Sequence, residues 1–314
     1  MQRTPEARRP RRLRHPGQEA LCGGVPGPVR AGPMRRPARG KGTKKSGGGG
    51  PSIAGPDSSQ PKRNRKGAGQ ALRTSEIEIQ GRKFPVHSLN TLIIGSGAAA
   101  LNAAVRLHRL GATDIALATE SWEGGTSRNA GSDKQTYYKL SLSAGAADAP
   151  RLMAEDLFRG GSMHGDIALS EAAGSLQSFF HLVELGVPFP HDRFGSYPGY
   201  KTDNDPRQRA TSAGPLTSRL MVERLAAEVE RLGITVFKSL PVIALLTEDS
   251  GGGKRILGAV GLDAATAAAP HMGMTLINCR NLVLGTGGPA GIYAASVYPQ
   301  SQTGAHGLAF EAGA

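Results

Sequence analysis

The sequence predicts an α/β domain, a parallel sheet flanked by helices with a helical insert and an antiparallel meander, preceded by a disordered basic tail. Three observations carry this. Leu92-Ile93-Ile94 and Leu282-Val283-Leu284 are short continuous apolar runs, the signature of strands buried on both faces. Between them, apolar residues recur at helical spacing. The composition also changes abruptly near residue 74.

Residues 1–74 hold 18 of the 38 Lys and Arg but only 3 of the 25 acidic residues, so the remaining chain, with 20 basic and 22 acidic residues, is close to neutral. The tail is rich in Gly and Pro and contains no aromatic residue. Such a segment buries too little apolar surface to offset the ordering of its backbone, so it is expected to be disordered. A polybasic arm can bind nucleic acid or an anionic surface. Here no aromatic residue interleaves the charges and no DNA-binding fold follows, which argues against a nucleic-acid partner. Its prolines argue against an amphipathic transit peptide. The plainest reading is translated sequence from upstream of a start site. No apolar run approaches the ~18 residues of a membrane span. Cys22 and Cys279 make neither a disulfide framework nor a zinc site, so no metal and a reducing, cytoplasmic setting are expected.

Ordered structure is expected to begin near SEIEIQGRKFPVHSLN, with the first buried strand at Leu92–Ile94. Leu101, Ala104, Val105, Leu107 and Leu110 then mark a helix that Gly111 closes. IALATE follows as a second strand, so one βαβ unit fits within about 30 residues. Residues 150–232 read as mainly helical, with one helix capped by Ser170 and ending at Gly186, and another over Leu216–Leu232. A long loop between them carries His191, Arg207 and Arg209. ITVFKSL, PVIALLTED, RILGAVGLD and MTLINC read as a small meander, and NLVLGTGG as the final core strand.

The turn Gly95-Ser96-Gly97-Ala98-Ala99-Ala100 lies between strand and helix in the pattern GxGxxA. Gly95 permits the tight bend, Gly97 lets a diphosphate approach the backbone, and the small Ala100 keeps helix and sheet close. The helix N-terminus supplies unpaired N–H groups and a positive dipole end. Glu120, 25 residues after Gly95, ends the second strand where its carboxylate can accept ribose hydroxyls. In this setting the turn predicts a Rossmann-like dinucleotide site, and by itself leaves NAD and FAD open.

Two further stretches bear on that choice. Gly124-Gly125-Thr126-Ser127 followed by Ala130-Gly131 is similar to the flavin-cradling GGxS…AG segment of the fumarate reductase/succinate dehydrogenase flavoproteins, a family that includes L-aspartate oxidase and ketosteroid dehydrogenases. Gly285-Thr286-Gly287-Gly288 resembles that family's ATGG turn, with glycine for the usual alanine, and GVPF at 186–189 also recurs there. The resemblance covers about residues 88–314 and implies an FAD-binding domain of the glutathione-reductase type.

It further implies hydride transfer between flavin and a small organic acid or enone, and it admits an electron-transfer partner subunit. Thr126 stands where covalently flavinylated members carry His, so FAD is expected to be non-covalent. The cofactor-binding set is Gly95, Ser96, Gly97, Ala98, Ala99, Ala100, Glu120, Gly125, Thr126, Ser127, Ala130, Gly131, Thr286, Gly287 and Gly288. Two departures stand out: Ala100 replaces the commoner third glycine, and Thr303-Gly304-Ala305-His306 lacks the acidic residue of the family's TGDG segment.

In that family a capping domain after this point supplies the substrate-binding histidines and arginines. The chain is therefore read as the FAD half of a longer catalyst, with its catalytic residues unknown. Secondary candidates are Arg128 in the cradle loop, Lys134, Tyr137 and Tyr138 in the polar stretch after it, expected to face the ring, and His164, His191, Arg207 and Arg209 on loops expected to reach the cleft. An NAD-dependent dehydrogenase and a non-catalytic fragment with a nucleic-acid-binding arm remain as alternatives.

Overall fold

The computed structural model describes residues 72–142, 147–202, 205–296, 298 and 304–314; the tail up to residue 71, with Cys22, and Thr303 lie outside them. Strands β1 (Arg73–Ile79) and β2 (Arg82–Ile94) form an antiparallel hairpin. Gln80 and Gly81, at φ +52° and +75°, make the left-handed pair of a two-residue turn whose twist suits its strands. From there β2 runs through Pro85 into the buried stretch Thr91–Ile94. Helix α1 (Ala98–Arg109) buries Ala100, Leu101, Ala104 and Val105. Burying a side chain such as Leu101 or Val105 contributes about 1.5–3 kcal/mol. After α1, Gly111 takes φ +95°, the backbone state a helix end favours. Strand β3 (Ile115–Ala118) then pairs parallel with β2, completing the expected βαβ unit.

The insert comprises α2 (Thr126–Asn129), β4 (Tyr137–Tyr138), α3 (Pro150–Arg159), α4 (Gly165–Glu184), β5 (Ala210–Thr211) and α5 (Thr217–Arg231). β4 and β5 form a short antiparallel ribbon. α4 begins at Gly165, ahead of the Ser170 cap expected from sequence. Asp166 lies in its first turn, where it complements the dipole, and buried Ala168 extends the apolar stripe back towards the start. Ser170 is an exposed mid-helix residue.

Strand β6 (Thr235–Phe237) corrects a second expectation. It pairs parallel with β3 as a core strand and takes no part in the meander. The meander is β7 (Val242–Asp249), β8 (Lys254–Leu262) and the first half of β9 (Met274–Leu284). MTLINC and NLVL, read as separate strands, are one: β9 leaves β8 and continues beside β2, parallel to it. The seven-stranded sheet has the order β6-β3-β2-β9-β8-β7, with β1 on the N-terminal half of β2. Helix α6 (His306–Glu311) lies against β7. One face of the sheet packs Ile93 and Leu117 on Leu101, Val105, Phe179 and Leu225 from the helices. The other packs Leu92, Ile94 and Ala118 on Ala259 and Ile277. Cover on both faces explains the unbroken apolar runs at Leu92–Ile94 and Ile115–Ala118, whereas in the run at Leu282–Leu284 the first two residues are half-buried and Leu284 is exposed.

Candidate cofactor site

Register brings the distant motifs together. Ile94 at the end of β2 pairs with Ala118 of β3 on one side and with Leu284 of β9 on the other. The chain leaves these three strand ends as Gly95, as Thr119-Glu120 and as Gly285. Gly95 N donates to Ala118 O and Gly285 N to Ile94 O, each at 2.8 Å. The carboxyl ends of parallel strands, at the point where the chain diverges to either side of β2, are where open α/β sheets hold ligands.

The two first glycines of the turn do different work. Gly95 sits at φ +114°, and a Cβ there would strike the carbonyl of Gly285, its carbon only 2.8 Å away. The fold itself demands that glycine. Gly97 has φ −77° and ψ 178°, open to any residue, and a Cβ there would meet only Ser127 Oγ at an ordinary 3.5 Å. Nothing in the protein requires it to be bare, so the space beside its N–H suits a ligand. Ala98 and Ala99 open α1, the latter exposed, and Ala100 is fully buried against β9. Ser96 turns inward: its hydroxyl lies 2.9 Å from both Thr119 Oγ1 and Ser121 O, tying the turn to the loop after β3. Glu120 is exposed at that loop's start.

Gly125, at φ +84°, enters α2, and a Cβ on it would meet nothing within 4 Å. Asn129 closes this loop with its amide, which donates to the carbonyls of Glu123 and Gly125 at 3.0 Å. Thr126 and Ser127 therefore sit on a braced turn, with Ser127 facing Gly97. Ala130 N donates to Thr126 O at 2.8 Å, and a Cβ on Gly131 would lie 3.0 Å from Leu216 at the foot of α5. Beyond β9, Gly287 takes φ +80° and a Cβ on Gly288 would meet nothing within 4 Å. The open glycines 125 and 288, with Gly97 facing Ser127, leave a cradle whose bare backbone fits a dinucleotide.

The secondary candidates divide. Arg128 makes no ion pair among the described residues, and its buried Nε has no hydrogen-bond partner there. Lys134 is exposed. Tyr137, expected to face a ring, packs on Phe179 and Phe189, with centroids at 5.7 and 5.9 Å, and burial pushes its hydroxyl up to about 12. Tyr138 donates to Asp205 at 3.0 Å and accepts from Arg209 at 3.1 Å.

Arg209, expected to reach the cleft, is fully buried. Its guanidinium holds Asp148 through both oxygens and Asp156, all at 2.8 Å. Burial alone would raise the Asp148 carboxyl, but these bonds from Arg209 and the Ser141 amide hold it below its ordinary range. Arg207 donates to Ala147 O and lies 3.6 Å from Asp148. This knot clamps the loop to β4, α3 and the segment before it, so both arginines are structural. His164 precedes α4 and is exposed, and His191 is held by its own loop through Asp192 O.

Sequence reasoning missed two residues. Lys139 is fully buried with no partner for Nζ among the described residues, 4.9 Å from the Phe179 ring centroid, and its burial lowers the ammonium pKa. Its place in an alternating stretch beside two tyrosines gave no hint of this. His306 lies by the β9 turn: a Cβ on Gly304 would come within 2.6 Å of its Nδ1 and 3.2 Å of the Gly288 carbonyl carbon.

The family model described as "FAD binding domain" matches residues 90–314. The chain belongs to that family. FAD is accordingly the cofactor of this FAD-binding domain, and the cradle fits it. The chain is 30% identical over 223 residues to an L-aspartate oxidase from Agrobacterium fabrum, an alignment covering 68% of this chain and 38% of that protein. It is 26% identical over 208 residues to a probable fumarate reductase, Ifc3, from Shewanella frigidimarina, covering 65% of this chain and 33% of that one. The Mycobacterium smegmatis Sdh1 structure in complex with UQ1 superposes with a TM-score of 0.60 at 22% identity, over 72% of this chain and 38% of that one, a likeness of fold. The domain thus spans well under half the length of these relatives. Among the described residues, no helix is long and apolar enough to cross a membrane, and no cluster of metal-binding side chains occurs.

Proposed function

We propose that this FAD-binding domain is the cofactor half of an oxidoreductase acting on a small organic acid or related compound, the class to which the names L-aspartate oxidase and fumarate reductase point. The observation that carries the reading is the register at Ile94, which sets the diphosphate turn, Glu120 and the β9 glycine turn at one sheet edge. Bound FAD supplies two-electron redox chemistry. The N–H groups of Gly97 to Ala100 hold the diphosphate, and Glu120 accepts the adenosine ribose hydroxyls. Gly125, Thr126, Ser127 and the backbone of Thr286 to Gly288 line the ring, with Ala130 and Gly131 anchoring the cradle to α5. Thr126 is not the histidine to which covalently flavinylated members attach the ring, so binding is non-covalent.

Substrate-binding cations are proposed to lie beyond this domain, since two of the candidates within it are engaged elsewhere, Arg209 with Asp148 and Asp156 and His191 with its own loop. An electron-accepting partner subunit and a cytoplasmic setting accompany this reading. Titrating the purified protein with FAD, then with NADH, tests the cofactor assignment: FAD binds at one equivalent and NADH does not displace it. Fumarate, succinate and L-aspartate, offered with an artificial electron carrier, test the substrate class. Turnover is expected only when the domain is extended to the length of its relatives.

A further inference from the structure

The turn after β2 and the turn after β9 meet at Gly95, Ala100 and Gly285, with a single methyl group among them. A Cβ on Gly285 would lie 2.7 Å from the Ala100 Cβ, 2.9 Å from its Cα and 3.0 Å from its nitrogen. Real Cβ atoms do not approach so closely in a packed interior. Ala100 is fully buried, so its methyl cannot turn away into solvent. On the opposite side, the Gly285 carbonyl already occupies the place a Cβ on Gly95 would need. The gap between the first turn of α1 and the end of β9 is therefore filled by the Ala100 methyl; a methyl on residue 285 fits only when that on residue 100 is absent and the residue 100 backbone gives way by a few tenths of an ångström.

The two departures noted from sequence, alanine for the third turn glycine and glycine for the alanine before Thr286, fall on the two sides of this one helix–strand contact. We infer that Ala100 and Gly285 are a paired spacer that fixes the separation of the two glycine turns, and so are positioning residues for the dinucleotide. This rests on the reading that both turns hold FAD. The spacer acts through geometry alone: Ala100 N is one of the amides at the helix start, and Gly285 directs Thr286 to Gly288. A shift of a few tenths of an ångström at the contact moves one set of donors against the other.

Four proteins test it: the unaltered chain, Ala100→Gly, Gly285→Ala, and the exchange Ala100→Gly/Gly285→Ala. Thermal unfolding without FAD reads the contact itself. FAD titration and the visible band shape of bound flavin read positioning. Gly285→Ala is expected to unfold at a lower temperature and to lose at least tenfold in FAD affinity, and Ala100→Gly to lose less on both counts. The exchange removes the methyl-to-methyl clash but leaves the new Cβ against the residue 100 backbone. It therefore recovers at least half of the unfolding temperature lost in Gly285→Ala, returns the flavin band shape and regains at least threefold of the lost FAD affinity. If Gly285→Ala yields no folded protein, recovery of folding in the exchange carries the same information.

Losses in the exchange that equal the sum of the single losses overturn the spacer. Recovery of stability without recovery of FAD affinity overturns its positioning role. If the unaltered chain binds no FAD, the proposed function fails, while the unfolding temperatures still decide whether the methyl is shared.

Discussion

Gly97→Ala separates what the fold needs from what the cofactor needs. The backbone at Gly97 is extended, and the added methyl would meet Ser127 Oγ at 3.5 Å, an ordinary contact. Removing a glycine where its replacement fits stabilises a protein by roughly 0.4–1 kcal/mol, because the unfolded chain has fewer states to lose. For a domain of this size that corresponds to a rise of at most about 2–4 °C in unfolding temperature. The methyl also stands where a diphosphate oxygen must approach the turn. A hydrogen bond to a charged group contributes about 1.5–3 kcal/mol, so its loss weakens FAD binding roughly tenfold to a hundredfold. Scanning calorimetry without cofactor and flavin-fluorescence titration read the two quantities on one sample. A variant at least as stable as its parent that binds FAD roughly tenfold to a hundredfold more weakly is expected. If Gly97→Ala binds FAD with parental affinity, or unfolds many degrees earlier, the assignment of this turn is wrong.

Other substitutions probe the frame around the site. Gly95→Ala should not fold, since it needs φ +114° and meets the Gly285 carbonyl; soluble expression and circular dichroism check this. Arg209→Met should cost about 3–5 kcal/mol in chemical unfolding by leaving the buried Asp148 and Asp156 without their counter-charge. Lys139→Met, which replaces a buried ammonium that has no hydrogen-bond partner among the described residues with an apolar side chain of similar length, should raise the unfolding temperature and leave FAD affinity unchanged.

His181 gives the domain an acid-sensitive joint. Burial, then Arg109 and Arg106, lower its pKa against the smaller opposing pull of Glu184 and Glu228, and Arg109 donates to its Nδ1 at 2.8 Å. Below the ordinary pKa of 6.5 the unfolded chain takes up the proton first, so stability falls as pH drops through and below that value. His181→Gln should flatten this pH dependence in urea unfolding.

The site was legible in sequence where its signals are local. The bend at Gly95, the helical spacing from Leu101 to Leu110 and the carboxylate after β3 all lie within one βαβ unit. The β9 turn was legible by resemblance, though not as the neighbour of Ala100, because only the sheet brings the two together. β6 was misplaced because Thr235–Phe237 is half-buried throughout and its pattern does not distinguish a core strand from a meander strand. Parallel pairing with β3 follows from the crossing of α5, which its three residues do not encode. β9 read as two strands because Arg280 and Asn281 interrupt its apolar run, although both are exposed positions on a continuous ladder. The Arg209 knot was hidden by distance, its partners Asp156 and Asp148 lying 53 and 61 residues away. A buried arginine, an exposed one and a substrate-binding one look alike in a loop rich in Pro and Asp.

The central claim is that the strand ends of β2, β3 and β9 hold FAD through the turn at Gly97. Equilibrium titration of the purified domain with FAD, in parallel with Gly97→Ala and with NADH as competitor, tests it most directly. One equivalent of flavin bound by the parent, held roughly tenfold to a hundredfold more weakly by the variant and undisturbed by NADH is the predicted result. A parent that takes up no flavin, or gives it up to NADH, contradicts it.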